Sequence, residues 1–192
     1  IEAPVLDEGG KPTGEMRKVS RDQGIRPSSY EGIAALKPVS EGGIHTAGNS
    51  SQITDGGAWV LLATEEAVKR HGLKPVGRIL DSQWAGLDPA QMGLGPVHAA
   101  TPILQRHGLK LNDLDAWEIN EAFAAQSLAC IRELGLSPAK VNPNGGAIAL
   151  GHPIGCTGTR IVVTLLHEML RRQARRGVAT LCVSGGMGMA LA

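Results

Sequence analysis

Three short segments of the 192-residue chain carry groups that could do chemistry together. The longest contains Asn144-Gly145-Gly146-Ala147-Ile148-Ala149-Leu150-Gly151-His152-Pro153-Ile154-Gly155-Cys156-Thr157-Gly158, a histidine set among five glycines ahead of an apolar helix. Glycine lets a backbone approach a ligand closely or take positive φ. The helix predicted from Thr157 turns its positive dipole end toward this loop, which disfavours imidazolium and favours a neutral ring. The second segment, Asn120-Glu121-Ala122-Phe123-Ala124, follows an apolar strand. Asn120 could hold a water through its amide or serve only as a helix N-cap, and Glu121 reads as a buried carboxylate that orders loops. The third, Cys182-Val183-Ser184-Gly185-Gly186-Met187-Gly188, places a thiol at a strand end that opens into a glycine turn. Open α/β sheets expose reactive groups there, although a free cysteine is commonly a small buried hydrophobe. With a pKa near ~8.5, the thiol can give a proton and the thiolate take one. Imidazole, thiol and carboxamide on three loops suggest an acyl-transfer site.

The elements that must position these loops alternate in type. Helices are expected at Ser29–Leu36, Thr64–Gly72, Pro96–His107, Ala122–Leu134 and Thr157–Arg172, and strands at Trp59–Ala63, Val76–Ser82, Ala116–Ile119 and Val178–Val183. Thr64 is a plausible N-cap, with acids in the first turn, bases in the last and Gly72 beyond. In the last helix Ile161, Leu165 and Met169 form an apolar stripe. Strands alternating with helices indicate an α/β layered fold. Gly185-Gly186-Met187-Gly188 is no dinucleotide fingerprint, since no helix or ribose-binding acid follows it.

Composition narrows the functional classes. Apolar residues make up 42% and aromatics only 3%, so the core must be aliphatic and alanine-rich. A net charge of +1 gives no nucleic-acid footprint. Three cysteines argue against a disulfide framework and for a reducing compartment, read here as cytoplasmic. No apolar run approaches a membrane span, and no signal peptide is read at the start. Ile1 to Pro4 resembles the middle of a strand, which predicts an N-terminus further upstream. Residues 1 to about 50 look like an excursion or lid.

Four ordered motifs resemble the thiolase family: Thr46-Ala47-Gly48-Asn49-Ser50-Ser51 with Asp55-Gly56, and the three segments above. Gly155-Cys156-Thr157-Gly158 and Ser50-Ser51-Gln52 look more like the degradative 3-ketoacyl-CoA thiolases of fatty acid β-oxidation than the biosynthetic enzymes. The resemblance implies a thiolase-like αβαβα layered fold, of which this chain would hold the C-terminal half. Residues 1–52 would end a coenzyme A-binding loop domain, 53–75 would be the last strand and helix of the N-terminal half, and 76–192 the C-terminal domain.

By the same resemblance Cys182 would be the acid/base, and His152 would activate the acyl-accepting cysteine and donate to the thioester oxygen. Asn120 would fix a water beside it, and the Ser184 amide would join a second oxyanion hole. Ser184 stands where relatives often have glycine, so its side chain could crowd the acyl group. Ser51 would contact pantetheine, Met92, Ala122 and Phe123 would line its tunnel, and Arg26 would sit near the nucleotide phosphates. Coenzyme A and acyl-CoA would be substrates, with no metal, no separate cofactor, and no nucleic-acid or membrane partner. The family's acyl-accepting cysteine lies in its N-terminal half in a Cys-x-Ser setting. Neither Cys130 nor Cys156 has that setting, and Cys182, although Ser184 follows at the same spacing, belongs to the C-terminal motif quoted above. An N-terminal half carrying the nucleophile would therefore be the partner, within a homo-oligomer of the complete enzyme. A non-catalytic acyl-CoA-binding protein, a structural subunit of a split thiolase and a ketoacyl synthase are the alternatives.

Overall fold

The computed structural model describes residues 1–22 and 24–192, which divide into two compact units, Ile1–Ala35 and Leu36–Ala192. In the first, β1 (Glu2–Leu6) and β2 (Pro12–Lys18) form an antiparallel hairpin in which Glu2 pairs with Lys18. Asp7 Oδ1 accepts from the Gly9 and Lys11 amides at 2.9 and 2.8 Å and closes the turn. A short helix, α1 (Tyr30–Ala34), is capped by the Ser29 hydroxyl. The opening strand was legible in the sequence. Its partner β2 was not, because Pro12–Lys18 has neither alternation nor an apolar face.

The second unit begins with irregular backbone and α2 (Glu65–His71), where Thr64 Oγ1 accepts from the Ala67 amide and Gly72 takes the left-handed conformation. These are the expected caps. β3 (Ser82–Gly86) leads through a 3-10 turn, Pro89–Leu94, into α3 (Gly95–Arg106). β4 (Ala116–Ile119), α4 (Ala124–Leu134), the single turn α5 (Ala147–Leu150), α6 (Thr157–Arg172), β5 (Gly177–Val183) and β6 (Met187–Leu191) complete it.

The four strands lie in the order β3-β6-β5-β4, with β4 and β5 parallel and the other pairs antiparallel. Trp117, Ile119 and Val178 pack with Ala99, Ile103, Cys130 and Leu134 of α3 and α4 in one core. Ala116 and Ala179 pack with Ile161 and Leu165 of α6 in another. The β4–β5 pair is thus covered on both faces. β4 is buried along its whole length in a covered parallel pair, Glu118 included.

Two expected strands are corrected. Trp59–Ala63 forms no ladder, and Trp59 is 83% exposed. An apolar run becomes a strand only beside a free hydrogen-bonding edge, and none reaches it among the described residues. Val76–Ser82 is irregular up to β3, because the ladder with β6 runs only from Ser82↔Leu191 to Gly86↔Met187.

Candidate active site

Asn120 is the first residue after β4, and its amide donates to Thr180 O of β5 at 3.0 Å. Cys182 lies two residues further along β5. The carboxamide and the thiol therefore come from the carboxyl ends of adjacent parallel strands. The expected N-cap role of Asn120 is not the one observed. Phe123 holds that position, and Asn120 is 1% exposed with neither Oδ1 nor Nδ2 hydrogen-bonded among the described residues. A buried amide without partners costs about 1–3 kcal/mol.

Residues 49–53 tie this strand end to the histidine loop. Ser50 bridges Phe123, and Ser51 donates to Ala122 O from its amide at 3.0 Å and from Oγ at 3.1 Å. The Ala124 amide donates to Asn49 O at 2.9 Å, and the Phe123 ring lies 4.4 Å from that of His45. One residue past Ser51, Gln52 O accepts from the His152 amide at 3.0 Å, and Ile53 bridges His152. Ser51, Ala122, Phe123 and the backbone of His152 are therefore gathered along one extended segment.

Three side chains fix the loop that bears His152. Asn142 Oδ1 accepts from the Ile119 amide and Nδ2 donates to Ile119 O, both at 2.8 Å, so the side chain imitates a ladder partner at the end of β4. Glu121 accepts from Asn142 Nδ2 at 3.3 Å and from the Ile148 amide at 3.2 Å, as a loop-ordering carboxylate should. Asn144 Nδ2 donates to the buried Glu168 of α6 at 2.9 Å. Gly146 packs directly on the Glu121 carboxylate, where a Cβ would not fit.

The His152 ring is half-buried, and its Nδ1 lies 2.7 Å from Thr157 Oγ1. That hydroxyl gives its only proton to Pro153 O at 2.9 Å. Nδ1 must then be the donor, which leaves the lone pair of the neutral ring on Nε2. Burial first, and the Arg160 guanidinium second, lower the imidazole below its ordinary pKa. The sequence predicted the direction from the helix dipole, but Thr157 and Arg160 were missed. Their signal was an ordinary-looking Thr and Arg at the start of α6.

Cys182 is 8% exposed, and burial raises its thiol above the ordinary value. Beyond it the β5–β6 turn holds Gly185 and Gly186 at φ 87° and 82°. Ser184 opens the turn and is exposed. The Leu87 amide donates to Gly186 O at 2.8 Å and joins this turn to the Pro89–Leu94 segment, where Met92 is half-buried. Cys130 is fully buried and donates to Gly93 O at 3.2 Å; burial pushes its thiol up to about 11, which suits a packing residue. Arg26 is exposed and belongs to the first unit. Among the described residues no His/Cys/Asp/Glu group has metal-binding geometry, and no helix is long and apolar enough to cross a membrane.

The family model described as "Thiolase, C-terminal domain" matches residues 73–192, and "Thiolase, N-terminal domain" matches residues 3–66. The chain belongs to the thiolase family. It is 50% identical to the peroxisomal 3-ketoacyl-CoA thiolase B of Rattus norvegicus over 99% of its own length and 45% of that protein. Two solved thiolases share the fold. Human mitochondrial 3-ketoacyl-CoA thiolase in complex with CoA has a TM-score of 0.82 at 42% identity, covering 93% of this chain and 45% of that one. The dimeric peroxisomal thiolase of Saccharomyces cerevisiae has a TM-score of 0.83 at 43% identity, covering 98% and 47%. This thiolase chain thus spans about half the length of the relatives it matches.

Proposed function

We propose that this chain supplies the acid/base and oxyanion machinery of a 3-ketoacyl-CoA thiolase, in the domain arrangement set out from the sequence. The observation that carries the proposal is the tie made by residues 49–53. They join the Asn120 strand end, next to the end of β5 with Cys182, to a histidine whose Nε2 is left as the base. The acyl-accepting cysteine would come from an N-terminal portion. That portion would also cover the exposed Trp59–Leu62 run.

In the first half-reaction His152 Nε2 takes the proton of that cysteine, whose sulfur attacks the 3-keto carbon. The C2–C3 bond breaks, the new acyl thioester stays on the cysteine, and the departing acetyl-CoA carbanion takes a proton from Cys182. In the second, the Cys182 thiolate takes the proton of incoming coenzyme A, whose sulfur attacks the acyl carbon; the acyl group passes to coenzyme A, and the released cysteine thiolate takes its proton back from His152. Run backward, Cys182 removes a proton from the acetyl-CoA methyl. Raised by burial, Cys182 is held as the acid that the first half-reaction needs. Protonated His152 and a water held by Asn120 stabilise one oxyanion, and the Ser184 amide the other; a donor of this kind is worth about 3–4 kcal/mol of barrier.

Ser51, Ala122, Phe123 and Met92 would line the pantetheine arm, with Arg26 near the phosphates. Coenzyme A is a substrate, and the chemistry needs neither metal nor redox cofactor. The complete enzyme would be a homo-oligomer, and three free thiols suit a reducing compartment such as the cytoplasm. Mixing the chain with a thiolase N-terminal half and following coenzyme A-dependent loss of acetoacetyl-CoA tests the proposal. Turnover that vanishes in C182A supports it, and a folded complex without turnover overturns it.

A further inference from the structure

The His152 loop leads into α6, and the ring is anchored to that helix through Thr157. Residues i and i+3 of a helix are neighbours, with Cβ atoms about 5–6 Å apart. Arg160 therefore stands one turn beyond Thr157 on the side that holds the ring. Its side chain is 20% exposed, and neither Nη1 nor Nη2 has a hydrogen-bond partner among the described residues. The nearest carboxylate, Glu118 of β4, lies 3.9 Å away, beyond hydrogen-bond reach. A guanidinium is always charged, and in so sheltered a place its field is poorly screened.

We propose that Arg160 is a positioning residue for His152: its buried, loosely paired guanidinium repels a proton from the imidazole and keeps the ring neutral, with Nε2 ready to act as base.

Burial and Arg160 are the causes that act on the imidazole, and the other charged and titratable groups on the elements around the ring are not among them. Glu121 is committed to Asn142 and the Ile148 amide. Asp55, after Ile53, is exposed, and Cys156 and Cys182 are thiols. Glu118 is the natural counter-ion, but it is 1% exposed, and burial outweighs Arg160 and raises its pKa to about 7. It is therefore largely neutral in the pH range where an imidazole titrates, and Arg160 acts there unopposed. The direction of the His152 shift, to which Arg160 contributes after burial, agrees with this geometry.

The consequence for catalysis rests on the thiolase reading of His152, whereas the titration itself does not. Following the His152 Cε1–Hε1 resonance of this chain against pH, assigned by its loss in H152N, tests the proposal without any assay of activity. In R160Q the midpoint should rise by roughly 0.5 to 1 pH unit, the effect of one partly screened charge at this range. R160K should keep the midpoint of the unaltered chain, and E118Q should leave it almost unmoved. Should R160Q fail to fold, E118Q/R160M removes both buried groups together and carries the same expected rise. A midpoint that stays or falls when the charge is lost, or rises equally in R160K, overturns the proposal.

Discussion

Thr157 decides which nitrogen of His152 can act as a base, because its one proton is already given to Pro153 O. Replacing it by valine removes the partner of Nδ1 and frees the ring to adopt either tautomer. In the assembled enzyme T157V should lower kcat by roughly tenfold or more, with little change in KM. Steady-state kinetics, with circular dichroism to verify the fold, would check this. The pH profile follows from the two shifted groups. His152 must be neutral to take a proton, and its lowered pKa moves the acid limb of kcat/KM below the ordinary imidazole range. Burial of Cys182 moves the alkaline limb above the ordinary thiol range, so the measured plateau should be broad. The chemistry of these residue types was legible in the sequence. The tautomer was not, because it depends on where a threonine hydroxyl spends its proton.

Two packing contacts hold the elements at the spacing the site needs. The backbone of Gly188 in β6 lies directly against that of Gly95 at the start of α3, and a Cβ at either would strike main-chain atoms. Backbone cannot yield as a flexible side chain can, so G188A should lose roughly 1–3 kcal/mol in urea unfolding. G146A acts differently. Its Cβ would displace the Glu121 carboxylate, releasing the Ile148 amide and Asn142 from the histidine loop. It should lower activity far more than it lowers stability. The local signals of Thr64, Gly72 and the stripe of α6 were readable, since a cap or a helical face is written in adjacent residues. β6 was missed because Met187-Gly188-Met189 has no apolar alternation and is held by its partners β3 and β5.

For the molecule as a whole, burial of Glu118 links stability to pH. Its pKa is raised from 4.5 to about 7, so the folded chain retains a proton that the unfolded chain has lost. The stability it contributes is complete below pH 4.5 and lost as pH rises through 7. The full loss is on the order of 3 kcal/mol. Urea midpoints should fall between pH 5 and 8, and E118Q should flatten that fall. Trp59 and Trp84 are exposed while Trp117 is buried, so acrylamide quenching reports the first two and W59F is needed to isolate Trp59 in the uncovered run. Adding the N-terminal portion should protect Trp59 from acrylamide, read as the difference from W59F. The sequence described this run as a buried strand because it weighs hydrophobicity and cannot show whether a neighbour is there to cover it.

The central claim is that Asn120, His152 and Cys182, delivered by separate turns, meet at one thioester. A crystal structure of the chain assembled with its N-terminal portion and soaked with acetyl-CoA measures this directly. The account predicts the thioester oxygen within about 3 Å of a water held by Asn120, and of His152 Nε2 once that nitrogen has taken the proton of the acyl-accepting cysteine. It also predicts Cys182 Sγ beside the acetyl methyl. The three side chains lining separate cavities, or acetyl-CoA seated away from them, would contradict it.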